Sequence, residues 1–331
     1  MNLLSVYHGD IPGFLTACAE APAMQRLRGI GMSCGCEYTS LPRFRNAGGN
    51  SRYAHSMGVA LIVWHFTCDP AQALSGLFHD IASPVFAHVI DFLKGDSLHQ
   101  EATEAGTAAA ITQSPEICAI LNKLGLTVEA VDDYHRYPIA DNPSPMLSAD
   151  RLEYTLRDSI SFGLWDCEMA AACYRDLTVA ANEYGVPELA FRTETLAAEF
   201  AMMALKCGRI YASAEDRYAM QLLSEEIQAA IDSQVLCEDD LYTTEASVIH
   251  KLMQHPATRE RWQNYCSLSK VRVSDVPAGE GRWRRISTKK RYINPLIAHR
   301  GRVGAILPSF QEALTEFQAE SQDAWAIPPR P

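Results

Sequence analysis

Gly76-Leu-Phe-His-Asp-Ile81 closes an apolar run that opens at Asp69-Pro70. Upstream of it stands Ser51-Arg-Tyr-Ala-His-Ser-Met-Gly-Val59, and downstream Ser148-Ala-Asp-Arg-Leu-Glu-Tyr154. Each stretch sets a histidine or aspartate among apolar residues that recur at i, i+3, i+4 and i+7, the period of an amphipathic helix. The same period runs from about residue 14 to 265, so the body of the chain is expected to be mainly α. Its clearest helical segments are 53–66, 69–79, 84–93, 99–111, 147–161 and 193–212. Asp69-Pro70, Ser83-Pro84 and Ser114-Pro115 each put a capping side chain before a proline, which at the first helical position lacks only an N–H that would have no partner there.

Beyond about residue 266 the pattern turns to β-branched and alternating residues, as in Lys270-Val-Arg-Val273 and Arg291-Tyr-Ile-Asn294, split by the turn former Pro277-Ala-Gly-Glu-Gly281. A last helix is expected over 309–320, before a frayed proline-rich end. The expected organisation is a helical domain, 1–265, and a small C-terminal α+β appendage, 266–331, packed on it.

With 29 basic and 40 acidic residues the net charge is −11, which argues against general binding to nucleic acid or anionic membrane. The amino-terminal MNLLSVYHGDIPGF has no basic n-region, and no stretch reaches the roughly 18 apolar residues of a spanning helix, so a cytoplasmic protein with no membrane partner is expected. Ten cysteines follow no framework of spacings and are expected to be free thiols. Cys34-Gly-Cys36 has too short a spacing for an ordinary structural zinc pair.

His55, His79, Asp80 and Asp150 supply two imidazoles and two carboxylates from separate helices, a donor set that suits one divalent ion with positions left open for water and a substrate oxygen. Neighbours on a regular helix diverge by about 100°, so His79 and Asp80 need a helix end to aim at one ion. Taken singly, each has a plainer reading: a hydrogen-bonded core histidine for His55 or His79, a helix-end carboxylate for Asp80, a first-turn acid for Asp150. On the 148–161 helix, Asp150, Tyr154, Arg157 and Asp158 fall on one face with Arg151 beside it, able to meet a phosphate, sugar or base. Alternatively, Glu153 and Arg157 form an i,i+4 pair on a solvated helix, and Arg52 is either a phosphate clamp or a surface charge.

In order along the chain, Gln25-Arg-Leu-Arg-Gly-Ile30, Ser51-Arg-Tyr-Ala-His-Ser-Met-Gly58, Leu77-Phe-His-Asp-Ile81, Pro84-Val-Phe-Ala-His88 and Ala149-Asp-Arg-Leu-Glu-Tyr-Thr-Leu-Arg-Asp158 resemble motifs of the HD superfamily, in its deoxynucleoside triphosphate triphosphohydrolase branch. Thr288-Lys-Lys-Arg-Tyr-Ile-Asn-Pro295 is similar to a stretch of its bacterial members. The resemblance implies an HD-domain helical bundle, a nucleotide substrate and a homo-oligomer, with His55, His79, Asp80 and Asp150 holding one divalent metal (Mn, Fe, Zn, Ni or Mg). It implies His88, Asp91 and His99 beside the scissile phosphate as catalytic residues, with Arg52, Arg151, Tyr154, Asp158 and Tyr211 on the substrate. For His99 an exposed helix start is the other reading, since Gln100 follows it where the branch has glutamate.

The chain departs from the branch elsewhere too, and the loop before Arg52 is enlarged by Arg43-Phe-Arg-Asn-Ala-Gly-Gly-Asn50. Ser83 stands where a histidine is usual, Met32-Ser33 where a Gln-Leu pair shapes the sugar pocket, and the region from Met203 to Ala214 keeps Ile210-Tyr211 but not its arginine, histidine and lysine. Fewer cations suit a substrate with fewer phosphates, although Lys206, Arg209 or Arg217 could compensate. Hydrolysis of a deoxynucleoside triphosphate is therefore the leading expectation. A phosphatase for nucleoside monophosphates or another small ester, and a nucleotide-binding sensor without turnover, stand as alternatives. The basic run Arg282-Trp-Arg-Arg-Ile-Ser-Thr-Lys-Lys-Arg-Tyr292 either contacts nucleic acid or a regulatory nucleotide, or is an exposed hairpin paired with acids of the body or of a neighbouring subunit.

Overall fold

The computed structural model describes residues 3–93, 106–277 and 283–327, and it is mainly α-helical. At its centre the Arg52–Thr67 helix, capped by Ser51 Oγ accepting from the Ala54 N–H at 3.3 Å, is buried over most of its circumference and turns back at Cys68. The Pro70–Phe78 helix follows it and packs along it, with Asp69 Oδ1 accepting from the Ala71 N–H at 2.8 Å. Gly76 allows their close approach, since a Cβ there would lie 3.1 Å from Val59 Cγ1. The Ala149–Ser161 helix, capped by Ser148, packs on the other flank of the central helix. Here Gly58 leaves room for a buried acid, because a Cβ on it would stand 2.5 Å from Glu153 Oε1.

The Glu194–Tyr211 helix and the Pro308–Ala319 helix pack together and complete this first core. A second core gathers Phe86 and Ile90 with Tyr218, Leu223, Val248, Trp262 and Tyr265 from the Ala214–Asp232, Glu245–Gln254 and Pro256–Cys266 helices.

Several expectations need correction. The 14–265 body is not helical throughout: Leu177–Ala181 and Pro187–Phe191 form an antiparallel hairpin, closed by Asn182, whose side-chain oxygen accepts from Tyr184 and Val186, and by Gly185 at φ +75°. Pro187–Phe191 then pairs in parallel with Leu296–Ile297, so the C-terminal segment extends a sheet begun in the body. Residues 291–294 form no ladder, and the nearby strands are Leu296–Ile297 and Gly301–Arg302. Lys270–Val273 is matched more closely by Arg272–Ser274, paired with Trp325–Ile327.

No helix begins at Pro84. Residues 85–88 are turns, and helix is confined to Val89–Leu93, because Val85 N–H donates to Leu241 O at 2.7 Å and Phe86 N–H to Glu245 Oε1 at 3.3 Å. Phe86 and Ala87 take left-handed backbone at φ 56° and 44°, which persists in residues other than glycine only where the surroundings enforce it. Ser83 caps nothing; its hydroxyl donates to Asp80 at 2.7 Å. Helix is described from Thr107 to Thr112, and the remainder of the 99–111 segment before residue 106 lies outside the described residues. Among the described residues no helix is long and apolar enough to cross a membrane.

Replacing Gly58 by valine should drive the side chain into Glu153 and cost about 1–3 kcal/mol by overpacking, read as a lower denaturation midpoint. An unchanged midpoint would show that this helix crossing has slack.

Candidate metal centre

His55 lies in the first turns of the central helix, while His79 and Asp80 follow the last residue of the Pro70–Phe78 helix. The helix ends at Phe78, so both stand in the turn beyond it, and there Asp80 Oδ2 comes within 3.5 Å of His79 Nε2. His55, His79 and Asp80 each offer a ligand atom within 4.8 Å of the others. Asp150 Oδ1 is 3.0 Å from His55 Nε2 and 3.8 Å from His79 Nε2, and the two Nε2 atoms are 3.2 Å apart.

Hydrogen bonds on the far side of each ring decide what those nitrogens are. His79 Nδ1 donates to the Gly76 carbonyl at 2.8 Å, and His55 Nδ1 donates to the buried Glu153 carboxylate at 2.7 Å. With both Nδ1 protons committed outward, the two Nε2 atoms are the ones that face the two carboxylates, and a proton or a metal ion must stand between them. Such a group calls for positive charge. Burial alone would lower the His55 pKa, yet hydrogen bonds to Asp150 and Glu153 outweigh it and raise it to about 10. Burial works to raise Asp150, but the two imidazoles bring it down to about 2; Arg52 and the same imidazoles hold Asp80 well below the usual carboxylate range. Two imidazole nitrogens and two ionised carboxylates fit a divalent ion of the Mn, Fe, Zn, Ni or Mg class.

The cluster opens into a cavity of about 590 Å³ lined by residues of both cores. Arg52, Arg151, Tyr154, Asp158 and Tyr211 all line it, as do His88 and the four candidate ligands. Arg52 is buried and donates to both Asp80 oxygens at 2.6 and 2.7 Å, so it lies beside the ligand set and not on the surface. Arg151 pairs with Asp141 at 3.0 Å. Tyr211 donates to Asp158 at 2.6 Å, and its ring meets Tyr154 edge-on with centroids 6.3 Å apart. Burial pushes the Asp158 pKa up to about 6 against that hydrogen bond.

His88 sits on the left-handed turn at the cavity wall, its Nδ1 donating to Asp91 at 2.8 Å. Asp91 is wholly buried behind it, so it orients His88 and does not itself line the cavity. Burial lowers the His88 pKa, and the charges of Arg291 and Arg52 push the same way. His99 lies outside the described residues.

The shared face of the Ala149–Ser161 helix is only partly brought together. Asp150, Tyr154 and Asp158 reach the cavity, but Arg157 turns away to Glu153 at 3.0 Å and to the Ala54 carbonyl at 3.2 Å. That i,i+4 pair exists, buried and not solvated. Glu153 was missed as a site residue, although its place among buried Ala149, Leu152 and Leu156 was a signal available in the sequence. Tyr134, stacked on His79 with centroids 5.0 Å apart, His135, Asp141, Asp216, Lys289 and Arg291 also line the cavity. All come from distant segments; Lys289 and Arg291 belong to the basic run 282–292, whereas Tyr134, His135, Asp141 and Asp216 carried no local signal. Ser33 and Met32 line it too, whereas Arg209 pairs with Glu320 and Arg217 donates to Gln322 O, so neither supplies the expected compensating charge.

No protein-family model matches the chain. It is similar to an uncharacterised protein, YdhJ, of Bacillus subtilis, with 26% identity over 258 residues that cover 76% of this chain and 75% of that one. It is also similar to the metal-dependent phosphohydrolase cns2 of Cordyceps militaris, with 30% identity over 152 residues. That match takes in 45% of this chain and 41% of cns2, less than half of either.

Changing Glu153 to glutamine should lower divalent-metal affinity by about 10–100-fold, as loss of an outer partner of a ligating histidine does. Metal content after desalting, measured against wild type, checks this. Full retention would remove Glu153 from the site.

Proposed function

We propose that the chain is a metal-dependent phosphohydrolase of the HD superfamily, triphosphohydrolase branch, acting on nucleotides, with a deoxynucleoside triphosphate as leading substrate. The observation that carries this reading is the pair of imidazoles whose outward Nδ1 bonds aim both Nε2 atoms at two ionised carboxylates, at the floor of a nucleotide-sized cavity. The likeness to cns2, named a metal-dependent phosphohydrolase, supports the same chemistry.

His55, His79, Asp80 and Asp150 would hold the ion. A divalent metal there supplies charge to a phosphoryl oxygen and lowers the pKa of bound water. His88, kept neutral by burial, presents Nε2 to the cavity and can take or return a proton there, while Asp91 fixes its ring and tautomer. Tyr154 offers a ring for stacking on sugar or base, and the Tyr211–Asp158 pair offers a donor and an acceptor for a sugar hydroxyl. A second reading, a monophosphate or small-ester phosphatase, is favoured by the Glu194–Tyr211 helix, which contributes Tyr211 but no cation to the cavity.

A nucleotide panel with each metal, and with the products identified, tests both. Release of inorganic triphosphate supports the leading reading and orthophosphate alone the second. Binding without turnover would leave a nucleotide sensor. Asp80→Ala should lower turnover by at least about a thousand-fold, equivalent to roughly 4 kcal/mol of lost transition-state stabilisation.

The pH–rate profile offers a separate check. A histidine with a lowered pKa stays neutral to more acidic pH, so a base at His88 keeps the rate up through the ordinary value of 6.5 and loses it only below. His88→Asn should abolish that acid limb. A limb unchanged in the variant would assign it to another group.

A further inference from the structure

The basic run divides into cations engaged away from the cavity and cations that line it. Arg284 pairs with Glu225 and donates to the Tyr218 hydroxyl at 2.7 Å, Arg285 pairs with Asp323 at 2.7 Å, and Arg282 lies outside the described residues. Lys290 donates to the Phe317 and Gln318 carbonyls, each at 2.8 Å, at the end of the Pro308–Ala319 helix. Lys289 and Arg291, on either side of Lys290, line the cavity together with Thr288. In extended chain successive side chains point to opposite sides, which lets Lys290 face away between Lys289 and Arg291.

The strap is pinned along its length. Arg217 donates to the Ile286 carbonyl, the Thr288 N–H donates to Gln322 Oε1 at 2.6 Å, and the Asn294 N–H donates to the Pro145 carbonyl at 2.9 Å. Between these points it lies against the Glu194–Tyr211 helix at Gly208, where a Cβ would stand 2.2 Å from the Arg291 carbonyl oxygen. Only glycine lets the backbone seat there, one turn before Tyr211. The Arg291 charge is felt by His88, Tyr154 and Asp216, three groups from three separate elements around the cavity.

Arg52 and Arg151, the other arginines of the cavity wall, are paired with Asp80 and Asp141 beside the candidate ligands. Lys289 and Arg291 line the same cavity from the far end of the chain, on a backbone pinned at Ile286, Thr288 and Asn294. We propose that Lys289 and Arg291 form an anion anchor for the phosphates of a nucleotide beyond the one at the metal cluster, so that the C-terminal strap reads the phosphate count. The proposal rests on the phosphohydrolase reading for its substrate. It places the cations missing from 203–214 on a different element, and it selects a di- or triphosphate over a monophosphate.

The test compares wild type with Lys289→Gln, Arg291→Gln and Arg291→Lys on the mono-, di- and triphosphate of one nucleoside. The two glutamine variants should each raise KM for the triphosphate by about 10–100-fold, the range for a lost charge-assisted hydrogen bond, with a smaller rise for the monophosphate and little change in kcat. Arg291→Lys, which keeps the charge but loses the planar fork, should fall between, and it serves if Arg291→Gln does not fold. An equal loss on all three substrates, or none on any, would overturn the anchor.

Calorimetric titration of the same proteins with inorganic tripolyphosphate separates the two ideas. If wild type binds it, the glutamine variants do not, and no nucleotide is hydrolysed, the phosphohydrolase reading fails and the anchor stands. If nucleotides are hydrolysed while tripolyphosphate binds wild type and variants alike, the anchor fails alone.

Discussion

A wholly buried carboxylate, Glu153, lies where the helices that carry His55 and Asp150 cross, and the geometry of the site depends on it. An ionised acid in such a place is tolerated only with its hydrogen bonds filled. Here Arg157, one turn along the same helix, neutralises it, and the Nδ1–H of His55 fills a remaining acceptor position. Gly58 supplies the space, since any side chain there would meet the carboxylate. The consequence reaches the cavity through the imidazole, whose tautomer and ring plane are set from behind. His79 is held in the same manner by a backbone carbonyl at the end of its own helix. Two unrelated acceptors thus produce one result, a pair of Nε2 atoms facing two acids.

The opposite wall is held by a second buried acid. Glu245 accepts from the Gly31 N–H at 2.9 Å, the Phe86 N–H at 3.3 Å and the Tyr38 hydroxyl at 2.7 Å, and so ties the left-handed turn before His88 to the second core. Because the turn is strained, it holds its shape only while these contacts persist. The cavity lies between an imidazole cluster rooted in one core and a histidine rooted in the other. In a protein of net charge −11, two of the cations at this opening, Lys289 and Arg291, come from the extended strap, where Gly208 admits its backbone. Local basic groups within an acidic whole suit a small anion better than a long polyanion.

Helices were the legible part of the fold. Residues 53–66, 69–79, 147–161 and 193–212 match observed helices to within a residue or two at each end, because period and capping side chain act within a few residues of each other. The 84–93 segment misled for a related reason. Its proline and serine carry a helix-start signal, yet the backbone donors of its first turn go to Leu241 and Glu245, more than 150 residues away in the chain. The 177–191 hairpin had a local signal in Asn182 and Gly185, but a short amphipathic strand among helices is easily absorbed into their pattern.

By itself, the sequence determined the helical body, the helix starts at Asp69 and Ser114, and the set of imidazoles and carboxylates available to meet, since these follow from residue type and spacing. Only the tertiary structure decided which way each of them faces. Arg157 turned inward to Glu153, Asp91 withdrew behind His88, Arg52 joined Asp80, and Lys289 and Arg291 arrived beside residues far from them in the chain. The physical reason is that a buried charge must find its partner in space. Desolvation makes that requirement stronger than any local preference, and the partner's position along the chain carries no trace of it.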